Sequence, residues 1–171
     1  MADITSERRV PYRGGRALDL ALFLAIMSTA VALGGALAHL LELPGKIALD
    51  RERYFIVQRI YDGWWQLAYV LGLQFVTMLA ALVMARDRPR VRSLVVAAIL
   101  GLVAAQAVFW IWTQPANAAT ANWTVQPENW EALRRQWEYS HAAGALLQLG
   151  VMAALVAAAL SSSRVPPSVP A

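Results

Sequence analysis

Four apolar stretches, each long enough to cross a bilayer, constrain this chain more than any other feature. They run from Leu18 to Leu41, Trp64 to Met84, Leu94 to Trp112 and Ala142 to Leu160. A helix needs about 20 apolar residues, rising 1.5 Å each, to cross ~30 Å of hydrocarbon. In lipid every backbone N–H and C=O must be satisfied internally, so only helices or closed barrels span, and these runs lack a barrel's alternation. The expected fold class is all-α, an integral membrane four-helix bundle. Only 15% of the residues are charged, against roughly a quarter in soluble domains, which agrees with lipid as the solvent. The first stretch follows Arg8, Arg9, Arg13 and Arg16 and ends in Ala36-Leu37-Ala38, which resembles a signal-peptidase site. Its apolar region outruns the roughly 7–15 residues of a signal sequence, so it reads as a span.

The 171 residues suffice for one bundle and no second domain. The expected organisation is a cytoplasmic segment 1–17, a transmembrane domain 18–161 and a disordered, Ser/Pro-rich cytoplasmic tail 162–171. With an even number of spans, both termini and the Ala85–Ser93 connection share a side. That side carries nine basic residues, including Arg86, Arg88, Arg90, Arg92 and Arg164, and the other carries six. The positive-inside rule then places both termini in the cytoplasm of a multi-pass cell-membrane protein. The same reading accounts for the pI near 10 without nucleic acid as a partner. Cysteine is absent, which excludes disulfides, thiolate metal sites and a cysteine nucleophile.

The two connections on the non-cytoplasmic side read as interfacial helical segments. From Ala48 to Tyr61 charges interleave with Tyr54, Phe55, Val57 and Ile60, as in a helix lying at the interface. A second helix is expected to begin at Pro127, with Glu131–Arg135 and Arg134–Glu138 at i,i+4 spacing, and to run into the fourth span. All seven tryptophans fall on this side. An aromatic belt with a packed cap would explain them; so would an aromatic-walled chamber for a flat ligand, with Trp110, Trp130 and Trp137 in its walls.

The two histidines also lie there. His39 and Glu42 are spaced i,i+3 where the first span ends, and Glu138 and His141 are spaced i,i+3 where the fourth begins. Residues three apart share a helix face. The first helix runs outward and the fourth inward, so the reversed motif order would place both histidines at one depth. His39, Glu42, Glu138 and His141 suit a non-haem metal ion, although the extra glutamates of di-iron bundles are missing. A haem held by the two histidines, or a cofactor-free acid/base pair, is equally compatible with these residues. The purely structural alternative pairs Glu138 with Arg134 and Glu42 with Lys46, and bonds the histidines to backbone or glutamine. Gln74, Gln106 and Gln148 are expected to bond between helices. Gly35 and Gly144 either allow close helix contact or leave space beside the imidazoles. Asn122-Trp123-Thr124 matches a glycosylation sequon, a weak signal that would be silent in a bacterial chain.

His39-Leu40-Leu41-Glu42-Leu43-Pro44-Gly45-Lys46, with Tyr54 and Val57-Gln58 after it, resembles the first signature of the anthrone-oxygenase-like family of small four-helix membrane proteins. The segment Asn117 to His141, with Asn122, Trp130, Leu133-Arg134 and Trp137, resembles the second. The likeness extends from Gly34 to Leu147. It departs one turn after His141, where relatives commonly carry arginine and this chain has Gly144. The resemblance implies oxidation of a hydrophobic, polycyclic aromatic small molecule by dioxygen. His39 and His141 would be the catalytic groups, a neighbouring glutamate would orient the imidazole, and Gln58 and Asn122 would join the three tryptophans around the substrate. A haem- or metal-binding electron-transfer subunit and a non-catalytic membrane subunit are the alternatives.

Overall fold

The structure, a computed structural model, describes residues 13–163. Among them are six α-helices: α1 (Arg13–Lys46), α2 (Arg51–Gln58), α3 (Leu67–Met84), α4 (Pro89–Val108), α5 (Gln114–Ala119) and α6 (Trp130–Ser162). No described residue is in a strand. Four helical stretches are long and apolar enough to cross a membrane: Gly15–Lys46, Trp64–Met84, Pro89–Ala119 and Trp130–Ser162. The chain is thus a four-span helical bundle. α1 begins at Arg13, so the expected N-terminal segment is partly helical, and α6 extends to Ser162. The rest of the expected tail lies outside the described residues.

The bundle packs α1 against α3 and α6, and α4 against α6, with a thinner α3–α4 seam. At the end where α1 begins and α6 finishes, Leu18, Leu22, Ala81, Val91, Val95 and Ala158 form one apolar layer. Arg88 there donates to the Ser162 carbonyl and hydroxyl, and the Ser162 hydroxyl donates to Asp19. A second layer at mid-depth joins Ala25, Met78, Ala98, Leu102, Val151 and Leu155. Gly101 permits the close α4–α6 approach: a Cβ there would lie 2.8 Å from Val151 Cγ2. The amide of Gln74 crosses the bundle, donating to Thr29 Oγ1 at 2.9 Å and to Gln148 Oε1 at 3.1 Å. These are two of the expected interhelical glutamines. Such bonds replace contacts that lipid cannot offer.

The far end is capped. Asp50 caps α2 by accepting from the Arg53 N–H, as N-cap aspartates do. α2 turns Tyr54, Phe55 and Gln58 inward and leaves Ile56 exposed, as is Ile60 in the 3-10 turn that follows, Arg59–Tyr61; a helical segment therefore lies where one was expected. The second connection differs from expectation. Pro127 lies ahead of α6, its carbonyl accepting from the Trp130 N–H in the turn before the helix starts. In addition, α4 does not stop at Trp112. It passes through a π-helical turn, Phe109–Thr113, into α5. Pro115 supplies the reason, because a proline lacks the N–H for the carbonyl four residues back and clashes with it. The Gln114 N–H reaches instead to the Phe109 carbonyl, the i→i+5 bond of a π-bulge, a device common at functional sites.

Candidate functional site

The site assembles where α1 ends and α6 begins, at the capped end of the bundle. His39 and His141 meet there with ring centroids 4.2 Å apart, so the reversed His/Glu motifs do bring the two imidazoles together. His39 is buried and boxed by aromatic rings, with centroids at 4.5 Å for Tyr61, 5.0 Å for Trp137 and 5.1 Å for Trp64. Trp137 also packs on His141, at 4.0 Å.

Hydrogen bonding settles one imidazole's tautomer. His141 Nδ1 lies 3.0 Å from the Trp137 carbonyl oxygen. A carbonyl only accepts, so Nδ1 carries the proton, and in the neutral ring Nε2 keeps a free lone pair. His39 Nδ1 is buried with no partner.

Neither glutamate orients an imidazole, contrary to the expectation. Glu138 is fully buried, and its Oε1 takes Lys46 Nζ at 3.0 Å and the Tyr54 hydroxyl at 2.9 Å. Glu42 is half-exposed and accepts from the Tyr61 hydroxyl, with Lys46 Nζ at 3.9 Å. Lys46 donates to the Tyr61 hydroxyl at 2.8 Å and sits 4.5 Å from the ring centres of both Tyr61 and Trp137. The i,i+4 pairing of Glu138 with Arg134 does not form. Arg134 donates to the Leu49 carbonyl at 2.6 Å and stacks on Trp130, 4.6 Å from its ring centre. Glu131 and Arg135 do approach, at 3.8 Å on the surface. Tyr54 and Tyr61 lie outside the spans. Burial, chiefly, pushes both phenols well above their ordinary range, and the adjoining carboxylates add to it.

These commitments bear on the metal and haem readings. Among the described residues no three His, Asp or Glu side chains are placed to share a metal ion. His39, Glu42, Glu138 and His141 converge as a pair of imidazoles and two carboxylates already engaged by Lys46 and Tyr61. A haem held between the histidines needs them on opposite faces of a porphyrin, whereas here the two rings touch.

Beside the imidazoles lies a cavity of about 760 Å³, lined by all four spans and both connections. His39, His141, Tyr61, Trp64, Trp110 and Trp137 face it, and Gln58 and Asn122 contribute polar groups. Trp130 does not line it; it packs with Tyr54, Phe55, Trp123 and Leu133 in the cap. The tryptophans therefore serve both readings, a packed cap and a chamber wall. Gly144 faces the cavity with nothing within 4 Å of where its Cβ would be, whereas a Cβ at Gly35 would meet Leu67 at 3.2 Å. Gln106 also reaches the cavity, and Gln148 joins the mid-depth amide network to it.

Three further parts escaped the sequence reading. Asn117 Oδ1 accepts from the indoles of both Trp137, at 2.8 Å, and Trp123, at 3.2 Å, which fixes two walls. Ala121, Asn122 and Trp123 all adopt left-handed backbone, with φ of 45°, 54° and 63°. L-residues resist that conformation by roughly 1–2 kcal/mol each. The strained turn is held by Thr120, whose hydroxyl accepts from the Trp123 N–H and whose carbonyl accepts from Thr124 and Val125. It carries Asn122 to the cavity and Trp123 into the cap, and strain of this kind clusters at functional sites. Lys46 is the third part; its spacing to Glu42 and its place in the first resembling segment were legible, its contact with Glu138 was not. Comparison with protein-family models, curated proteins and solved structures gives no match to the chain.

Proposed function

We propose that this membrane protein is an oxygenase acting on a flat, hydrophobic aromatic compound whose reacting C–H is acidified by a conjugated carbonyl, as in an anthrone. One observation carries the reading: a free imidazole nitrogen, His141 Nε2, belongs to a ring on the wall of a large aromatic cavity. Tryptophan and tyrosine faces suit a polycyclic ring system, and intramembrane ionisable groups are costly enough to be functional by default. The family resemblance supports the same chemistry. Neutral imidazole is a competent general base near physiological pH.

In this reading His141 Nε2 takes one proton from the ring CH₂, and the electron pair left behind delocalises into the conjugated carbonyl. Dioxygen accepts one electron from that anion, and the two radicals combine to form the C–O bond. Cleavage of the O–O bond with loss of the second hydrogen as water leaves a new carbonyl. The sum, CH₂ + O₂ → C=O + H₂O, needs no external reductant. His39, which lines the cavity beside His141, is the group to hydrogen-bond oxygen atoms on which charge collects.

The arginine asymmetry supports cytoplasmic termini, which would put the cavity at the opposite membrane face. The test of function is direct. Detergent-purified protein, mixed with anthrone in air, should form anthraquinone faster than buffer and micelles alone, consuming one O₂ per product. Product formation no faster than the protein-free control would overturn the reading.

A further inference from the structure

We infer that the Gln106 amide donates a hydrogen bond to a carbonyl oxygen of the ligand, so the cavity selects ring systems that carry a carbonyl over bare aromatic hydrocarbons. This rests on the proposed function in one respect, that the cavity holds a flat aromatic molecule.

Gln74, Gln106 and Gln148 meet different fates. Gln74 and Gln148 bond to each other across the bundle at mid-depth. Gln106 lies within the Pro89–Ala119 span and lines the cavity. Among the described residues its side-chain amide has no hydrogen-bond partner, yet it is not sealed inside the protein as Gln58 Oε1 and His39 Nδ1 are. The residue is only half-buried.

Its place on α4 sets the direction it faces. Leu102, one turn earlier, is buried in the mid-depth layer. Phe109 and Trp110, one turn later, line the cavity, whereas Val103 and Ala107, to one side, are exposed. Residues three and four apart share a helix face, so Gln106 stands in the stripe turned to the cavity. Its depth follows from what α4 meets on α6. Gly101 faces Val151 and the Thr113 hydroxyl bonds that of Ser140 at 2.7 Å, which sets Gln106 between those levels, about one turn deeper than His141.

An amide without a partner inside a span is costly. Its NH₂ offers two donors; a carbonyl oxygen takes one, and a hydrocarbon edge takes none. With the ring CH₂ of an anthrone at His141 Nε2, the carbonyl across the same ring points away from the imidazole, into the deeper part of the cavity where Gln106 lies. Charge collects on that oxygen as the proton leaves, so the bond strengthens in the transition state, the condition for a contact to lower a barrier.

The probes are 9,10-anthraquinone and anthracene, the same three rings with and without carbonyls. Binding is followed by quenching of tryptophan fluorescence in the detergent-purified full chain. Gln106→Leu should weaken the quinone roughly tenfold, the ratio that one hydrogen bond supports, and leave anthracene unchanged. Equal effects on both probes, or none on the quinone, would overturn the inference. If the variant fails to fold, the infrared spectrum of the wild-type complex with carbonyl-¹³C-labelled anthraquinone decides. One carbonyl stretch should fall below its position in an alkane, and an unshifted pair would overturn the inference. Failure of both probes to bind the wild-type protein would sink the cavity reading and the inference with it. Binding of the quinone that depends on Gln106, without oxidation of anthrone, would uphold this contact and retire the oxygenase reading alone.

Discussion

Lys46 Nζ lies 3.0 Å from Glu138 Oε1, and neither side chain reaches solvent beyond a trace. The pair ties the last turn of α1 to α6 directly behind the imidazoles, with the Tyr61 and Trp137 rings packed on the ammonium. Desolvating two charges is expensive, so such a pair is weak evidence for added stability, but breaking it is severe. Lys46→Met alone should destabilise the protein by about 3–5 kcal/mol, since it strands the Glu138 carboxylate in an apolar setting. Lys46→Met combined with Glu138→Gln should recover much of that loss. Thermal unfolding in detergent, followed by circular dichroism, measures both; a double variant no more stable than Lys46→Met would mean that stranded charge is not the cause.

The two capping tyrosines should resist alkali. Burial and the neighbouring carboxylates raise both phenols in the folded state, while in the unfolded chain they ionise near 10. The folded state therefore holds protons that the unfolded state has lost. Stability is fully present below about pH 10 and declines as pH rises above it. In a spectrophotometric titration at about pH 11, one unit above the ordinary phenol value, the native protein should show the same tyrosinate signal with or without Tyr61→Phe. The denatured variant should show less than denatured wild type. A native signal that drops with the substitution would mean that Tyr61 ionises normally.

Glycine marks two different kinds of space. At Gly101 a Cβ would come within 2.8 Å of Val151 Cγ2, a stiff and buried side chain. Gly101→Ala should cost roughly 1–3 kcal/mol by overpacking the α4–α6 contact. At Gly144 nothing stands within 4 Å, so Gly144→Ala should leave stability unchanged or slightly raised, whereas Gly144→Phe should abolish aromatic binding by filling the cavity. Melting curves, and quenching of tryptophan fluorescence by an added anthraquinone, separate the two. A Gly144→Phe protein that binds as well as wild type would place the ligand elsewhere.

The spans were legible because lipid permits few alternatives, and the four apolar blocks locate all of them. The imidazole pair was legible too, since i,i+3 spacing on helices of opposite direction sets both histidines at one depth. Local spacing failed where tertiary contacts compete with it. Arg134 and Glu138 have the right separation for an ion pair, yet Lys46 reaches Glu138 from another helix and Arg134 caps the Leu49 carbonyl instead. The left-handed turn at Ala121–Trp123 contains no glycine to signal it. The π-turn was readable in principle from Pro115 inside an apolar helix, but only its consequence for the carbonyl four residues earlier reveals it. Asn117 marked only the start of a resembling segment, and its role was hidden, because pinning two indoles depends on where α5 is carried.

The most direct test of the site is the rate of anthrone oxidation by His141→Ala, with and without added imidazole. If His141 Nε2 is the base, the variant should lose about 10²–10⁴-fold in rate, as removal of a general base does. Free imidazole entering the vacated space should restore part of the lost rate, while leaving the wild-type rate unchanged. A folded His141→Ala protein that oxidises anthrone at the wild-type rate would contradict the assignment of His141 as the base.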